Sequence, residues 1–265
     1  MAVLGLRLRL LLAIPALALS LSPAFAVFGG KSVDAGESLG RAVAAVLSET
    51  ADGAQLCTAV MLGPQLLLTA AHCVAGDRSK IRLIFSTTLA GVAPDRIRGA
   101  DAVVKAKTTG ASKGLYPYQN PDDIALVRLD AAAPEETVFA SLGEIGVNTS
   151  LRFAGYGATS ELRKPDADGK RQLGFDKLLR TAAVPLISLD EALLVGDQTQ
   201  GAGACTGDSG GPAFSADGHL VGLLIGVAST RDTPDYCRGK AYFANLDRWT
   251  AWIETTSDSL GQPLH

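Results

Sequence analysis

What most constrains the fold is a rhythm of short apolar runs. They occupy Ala42–Leu47, Cys57–Leu62, Leu66–Thr69, Ile81–Phe85, Ile124–Leu129, Leu151–Ala154, Leu179–Val184, Pro212–Phe214, Leu220–Val227 and Ala241–Ala244. Gly, Pro, Asp and Asn turns separate them, as in Ala216-Asp217-Gly218-His219 between Phe214 and Leu220. Runs of this length bounded by turn formers read as strands, and the absence of regular helices between them argues for antiparallel pairing. Three helical segments are expected: a turn through Ala70-Ala71-His72, a short helix over Ser188–Leu194, and a terminal one from about Asn245 to Thr255. In the last, Leu246, Trp249, Trp252 and Ile253 recur three or four apart, so one face packs on the body of the protein. The polar stretch Glu161–Gln172 reads as a long exposed loop, and no internal repeat is visible.

The first 26 residues read as a cleaved export signal. Arg7 and Arg9 precede the apolar run Leu10–Leu21, and Ala24-Phe25-Ala26 puts small residues where a signal peptidase cuts. The run falls short of the roughly 18 apolar residues a membrane anchor needs, and Pro15 interrupts it. Cleavage leaves 239 residues, enough for one large β-rich domain or two fused small barrels, with a boundary between halves at about 131–148. The formal charge of −3 less the two leader arginines gives −5, which supplies no attraction to nucleic acid or anionic membranes. Secretion to the medium or periplasm follows, and with it an oxidising setting.

Four cysteines, Cys57, Cys73, Cys205 and Cys237, in an exported chain favour two disulfides, with three pairings open. Three histidines stand at 72, 219 and 265, and no cysteine–histidine group has zinc spacing, so no metal or other cofactor is expected.

The densest chemical signal is "GACTGDSGGP", residues 203–212. Glycines crowd Ser209 and permit close approach of a substrate backbone. A bare serine needs a neighbouring base to become a nucleophile at neutral pH. "LLLTAAHC", residues 66–73, sets His72 just past an apolar strand and beside a cysteine, and "NPDDIALVRL", residues 120–129, sets two carboxylates at a strand start. Together they offer nucleophile, base and orienting acid in the order His, Asp, Ser.

Thr69-Ala70-Ala71-His72-Cys73, Asp123-Ile124-Ala125-Leu126 and Gly207-Asp208-Ser209-Gly210-Gly211-Pro212 resemble the three catalytic motifs of the chymotrypsin-like serine proteases. Gly155-Tyr156-Gly157, the Leu178–Ile187 segment and the terminal Trp252 helix also find counterparts, so the resemblance covers nearly all of the chain beyond the leader. It implies an all-β fold of two packed six-stranded antiparallel barrels with a C-terminal helix. It implies a serine endopeptidase acting on protein or peptide substrates, with a proteinaceous inhibitor as a further potential partner. His72, Asp123 and Ser209 take the catalytic roles, Asp123 rather than Asp122 because it directly precedes Ile-Ala-Leu. The backbone N–H groups of Gly207 and Ser209 form the oxyanion hole, and the disulfides pair Cys57 with Cys73 and Cys205 with Cys237.

The resemblance also locates substrate selection. Gly203 stands where trypsin-like members carry the aspartate that binds a basic side chain, so Arg and Lys lack an ion-pair partner and would be desolvated uncompensated. Val227 at the position of a pocket glycine narrows the entrance, which favours a small or apolar residue before the cleaved bond. Ile225 falls where the family has a small hydroxyl supporting the catalytic aspartate. Val27-Phe28-Gly29-Gly30 resembles the family's mature N-terminus, whose α-ammonium pairs with the carboxylate preceding the serine, here Asp208. Export and activation would then be one cut.

Two other readings compete. Gly207-Asp208-Ser209-Gly210-Gly211 also fits the G-x-S-x-G pattern of α/β-hydrolases, which would need His219 or His265 as base. A secreted, catalytically silent protease-like binding protein is the other.

Overall fold

The computed structural model describes residues 27–50, 53–107, 119–146, 150–163, 172–230 and 236–264. Residues 1–26, expected to be an export signal, and His265 lie outside the described residues. Six strands form a closed antiparallel barrel: β1 Val43–Thr50, β2 Gly53–Gly63, β3 Leu66–Thr69, β4 Arg82–Ile84, β5 Ile97–Lys105 and β6 Ala125–Leu129, in the order β1-β2-β3-β6-β5-β4. Six more follow: β7 Ser150–Gly155, β8 Arg180–Leu189, β9 Leu193–Asp197, β10 Pro212–Phe214, β11 Leu220–Ala228 and β12 Lys240–Asn245. They run β8-β9-β12-β11-β10-β7, and pairing of β7 with β8, from Ser150↔Pro185 to Gly155↔Arg180, closes the second ring. The two halves therefore share one topology although their sequences show no repeat. Lys31–Ser32 adds a short strand at the edge of β8.

The barrels form because the apolar runs leave one face of each strand to be buried. Phe153, Phe243 and Tyr156 are fully buried, and a buried aromatic of this kind contributes roughly 2–3 kcal/mol. Phe153 and Phe243 meet with centroids 6.0 Å apart. Tyr156 spans the two barrels, donating its hydroxyl to the Ser86 carbonyl at 2.9 Å, and burial pushes its phenol pKa up. Helix α1, Ser38–Ala42, leads into β1. No helix among the described residues is long and apolar enough to cross a membrane.

Three expectations change. The segment Ser188–Leu194 is a hairpin, not a helix: Asp190 Oδ1 accepts from Ala192 N at 2.8 Å and Leu193 N at 2.7 Å, and this local turn reverses the chain from β8 into β9. The terminal helix starts later. A 3-10 turn at Asp247–Trp249 precedes α2, Thr250–Ser259, while Leu246, Trp249 and Ile253 are buried as the spacing requires. The flanks of the polar stretch pair as a ribbon, Ser160–Arg163 with Gln172–Gly174, and residues 164–171 lie outside the described residues.

Candidate active site

The histidine motif leaves β3 at Thr69 and turns through a 3-10 segment, Ala71–Val74, pinned by the Cys57–Cys73 disulfide. The aspartate motif precedes β6, which pairs with β3 so that Thr69 lies opposite Ala125. That register brings the two motifs together. Asp123 Oδ2 lies 2.5 Å from His72 Nδ1, and Oδ1 accepts from the His72 backbone N at 2.8 Å. The carboxylate is buried and the imidazole half-buried. With Nδ1–H turned to the carboxylate, Nε2 is the nitrogen left to take a proton. Asp122 faces elsewhere: its Oδ1 lies 3.7 Å from Arg248, while Trp249 Nε1 donates to the Pro121 carbonyl at 3.0 Å. The terminal helical turn thus clamps the acidic loop. Ile225 is buried and brings no hydroxyl to Asp123.

The serine motif lies in the loop before β10, in the second barrel. Gly207 has φ +101°, and a Cβ there would sit 2.9 Å from Gly157 Cα, so the loop needs glycine for both its torsion and its packing. Asp208 turns inward and is fully buried. Its carboxylate accepts from Gly157 N at 2.7 Å and Cys205 N at 2.9 Å. A Cβ on Gly155 or Gly157 would overlap that carboxylate, which explains the Gly-Tyr-Gly motif: two glycines frame a slot for an acid. Burial pushes the Asp208 pKa up to about 7, against the pull of the two backbone donors.

His72 and Ser209 face one cleft of 1030 Å3 between the barrels, with Cys57 and Leu56 on one wall and Cys205, Thr206, Gly207, Leu224, Gly226 and Val227 on the other. The sequence profile of the Trypsin family matches residues 27–253. The chain belongs to the trypsin family. It is 28% identical to brachyurin of Leptuca pugilator over 77% of this chain and 88% of that protein. It is 26% identical to snake venom serine proteinase 14 of Crotalus adamanteus, over 76% of this chain and 77% of that one. The fold matches the crystal structure of the scabies mite inactivated protease paralogue S-I1 with a TM-score of 0.65 at 19% identity, covering 87% of this chain and 99% of that one.

Within this trypsin-family frame both disulfides are formed, Cys57–Cys73 and Cys205–Cys237. Sγ of Cys57 and Cys73 and a ring nitrogen of His72 lie within 4.8 Å of one another, yet sulfurs joined in a disulfide offer no thiolate to a metal. Val227 lines the cleft, whereas Gly203 is set back from it. Gly203 N donates to the Phe28 carbonyl at 2.7 Å, and a Cβ there would lie 2.7 Å from the Gln198 side chain. Gln198 fills the space that a longer residue at 203 would use. It is buried, donating Nε2 to the carbonyls of Ala204 and Cys237, each at 3.0 Å, and accepting from Ala204 N at 2.8 Å. Gln198, Thr58, Arg248 and Trp249 are site residues that sequence reasoning misses. Only the polarity of Gln198 and Thr58 beside apolar runs hints at the first two.

Val27 is buried among Ile145, Phe153, Ala204 and Ala213. Its φ of +37° is strained for a β-branched residue. Its carbonyl accepts from Gly30 N. Bonded to residue 26, its nitrogen is a backbone amide and carries no charge to Asp208.

Proposed function

We propose that the chain is a secreted serine endopeptidase that cleaves peptide bonds through an acyl-enzyme on Ser209. The observation that carries this is the His72–Asp123 pair facing the same cleft as Ser209. His72 Nε2 takes the Ser209 hydroxyl proton as Oγ bonds to the scissile carbonyl carbon. The proton then passes to the leaving amine as the C–N bond breaks. Water adds to the ester with the same base, releasing the acid and restoring the serine. Asp123 holds the tautomer and stabilises the imidazolium. The N–H groups of Gly207 and Ser209 receive the developing oxyanion, and one such donor is worth about 3 kcal/mol in the transition state.

A small or apolar residue before the scissile bond suits the recess beside Val227, because Gln198 is neutral with its amide already bonded, and among the described residues no carboxylate lines the cleft to hold Arg or Lys. We further propose that cutting after Ala26 both completes export and activates. The new Val27 ammonium would reach the buried Asp208 carboxylate and relieve the strain at Val27.

A fluorophosphonate probe tests the mechanism: the chain beginning at Val27 should be labelled and Ser209→Ala should not. An unlabelled, properly folded chain would sink it and favour the silent binding protein, the reading to which the missing hydroxyl at Ile225 lends weight. N-terminal sequencing of active secreted protein should start at Val27; an active form starting elsewhere refutes the single-cut activation.

A further inference from the structure

The cleft continues past Ser209, away from Val227, along the β1–β2 hairpin. Leu47, Leu56, Leu89 and Phe175 give it an apolar lining there, and Lys177 stands at its edge. Phe175 is 41% exposed, and its ring edge lies 3.3 Å from where a Gly207 Cβ would be, so this large exposed aromatic sits directly against the oxyanion loop. Among the described residues no Asp or Glu lines the cleft.

Lys177 is unusual in its backbone, with φ +63°. A non-glycine residue in the left-handed region costs about 1 kcal/mol or more and persists only where neighbours fix it. Here Leu89 N donates to the Lys177 carbonyl at 2.8 Å, Thr88 bridges to Leu178, and Leu179 N donates to the Thr87 carbonyl at 2.8 Å. This three-residue zipper joins the loop after β4 to the strand entering β8. The acid next in sequence is withdrawn from the lysine: Asp176 Oδ2 accepts from Arg180 Nε at 2.9 Å, and its Oδ1 accepts from Leu178 N at 3.2 Å. Among the described residues no carboxylate pairs with Lys177, an exposed lysine held by its backbone at the rim of a groove whose polar lining at this end is otherwise the neutral Thr50 and Gln55.

We propose that this end of the cleft selects substrates with an acidic side chain in the first few residues after the cleaved bond, its carboxylate meeting Lys177 while the preceding side chain lies against Leu56, Leu89 and Phe175. The proposal rests on the endopeptidase reading and names the leaving-side chemistry of that same site. An exposed ion pair sets its scale at about a two- to fivefold preference that salt weakens.

The test compares two quenched peptides alike except for Glu or Gln at the second residue after the scissile bond. In parallel, the two corresponding leaving-side peptides are bound to the Ser209→Ala chain, so that selection is read without turnover. The Glu peptide should be favoured two- to fivefold in both measurements. Lys177→Asn removes the charge with a residue that tolerates the left-handed backbone, and the Glu/Gln ratio within that variant should fall towards one with no loss of thermal stability. A ratio of one in the unaltered chain, or one unchanged by Lys177→Asn, overturns the proposal. If no peptide is cleaved and Ser209 takes no probe, the endopeptidase reading fails, while the binding ratio still decides whether Lys177 selects a carboxylate.

Discussion

Thr58 and Gly207 are joined across the two barrels by a hydrogen bond of 3.0 Å from the threonine hydroxyl to the glycine carbonyl. The same hydroxyl accepts from Tyr156 N at 3.2 Å, and Thr58 N donates to the Ser209 carbonyl at 2.8 Å. One strand residue of the first barrel therefore fixes two peptide planes of the serine loop, 207–208 and 209–210, on either side of the Ser209 N–H assigned to the oxyanion. The cleft depends on registration between the barrels, and Thr58 is where that registration reaches Ser209.

Thr58→Val deletes the hydroxyl and leaves the Gly207 carbonyl and Tyr156 N without this buried partner. An unmatched buried polar group costs roughly 1–3 kcal/mol. Urea unfolding should show a loss of that size, and kcat should fall more than KM rises, because the ground-state contacts to substrate remain. Thr58→Ser should restore most of both.

The neighbouring carboxylates should behave differently. Asp123→Asn presents the wrong hydrogen-bonding partner to His72 Nδ1, and a change of this kind lowers kcat by about 10⁴-fold. Asp122→Asn instead weakens the contact to Arg248 and should cost roughly 1–3 kcal/mol of stability with a much smaller change in kcat. Single-turnover release of a chromogenic leaving group, measured beside urea midpoints, separates the two.

That distinction was legible in the sequence only through the motif, since two aspartates at a strand start look alike. The ten apolar runs are all strands because short apolar runs bounded by turn formers are a local signal. β5, Ile97–Lys105, escaped notice because its register slips between Ala100 and Ala102, which breaks the alternation. The segment Ser188–Leu194 reads as a helix but is a hairpin, with Leu189 and the preceding Ile187 about half exposed on a strand, so no buried apolar face marks it. Gln198 and Thr58 leave only their polarity as a signal, because their partners are backbone groups up to 149 residues away, which leave no mark in the sequence.

Gln198→Leu should strip the buried Ala204 N–H of its side-chain acceptor and remove the donor to two carbonyls. The expected loss is roughly 2 kcal/mol or more. Peptide-library profiling should also show altered choice of the residue before the scissile bond, since Gln198 backs Gly203 and the Cys205–Cys237 link. A stability loss with an unchanged profile would remove Gln198 from substrate selection and leave it as a clamp.

Asp208 should make stability depend on pH, with opposite signs before and after the proposed cut. In the uncut chain burial raises its pKa from 3.8 to about 7. The folded state then holds a proton that the unfolded state releases, so this contribution is complete below about pH 4 and is lost as pH rises through about 7. The full difference is roughly 4 kcal/mol. If the proposed cut brings a Val27 ammonium to the carboxylate, Asp208 would be held charged and its pKa would fall, so its stabilisation would be present at neutral pH and lost in acid. The comparison needs two Ser209→Ala proteins, one starting at Val27 and one extended by Ala24-Phe25-Ala26. Between pH 4 and 7.5 the urea midpoint should fall for the extended chain and stay level for the other, which should lose stability only below about pH 4. Asp208→Asn should flatten both profiles, and parallel profiles for the two unaltered chains would dissociate Asp208 from the cut.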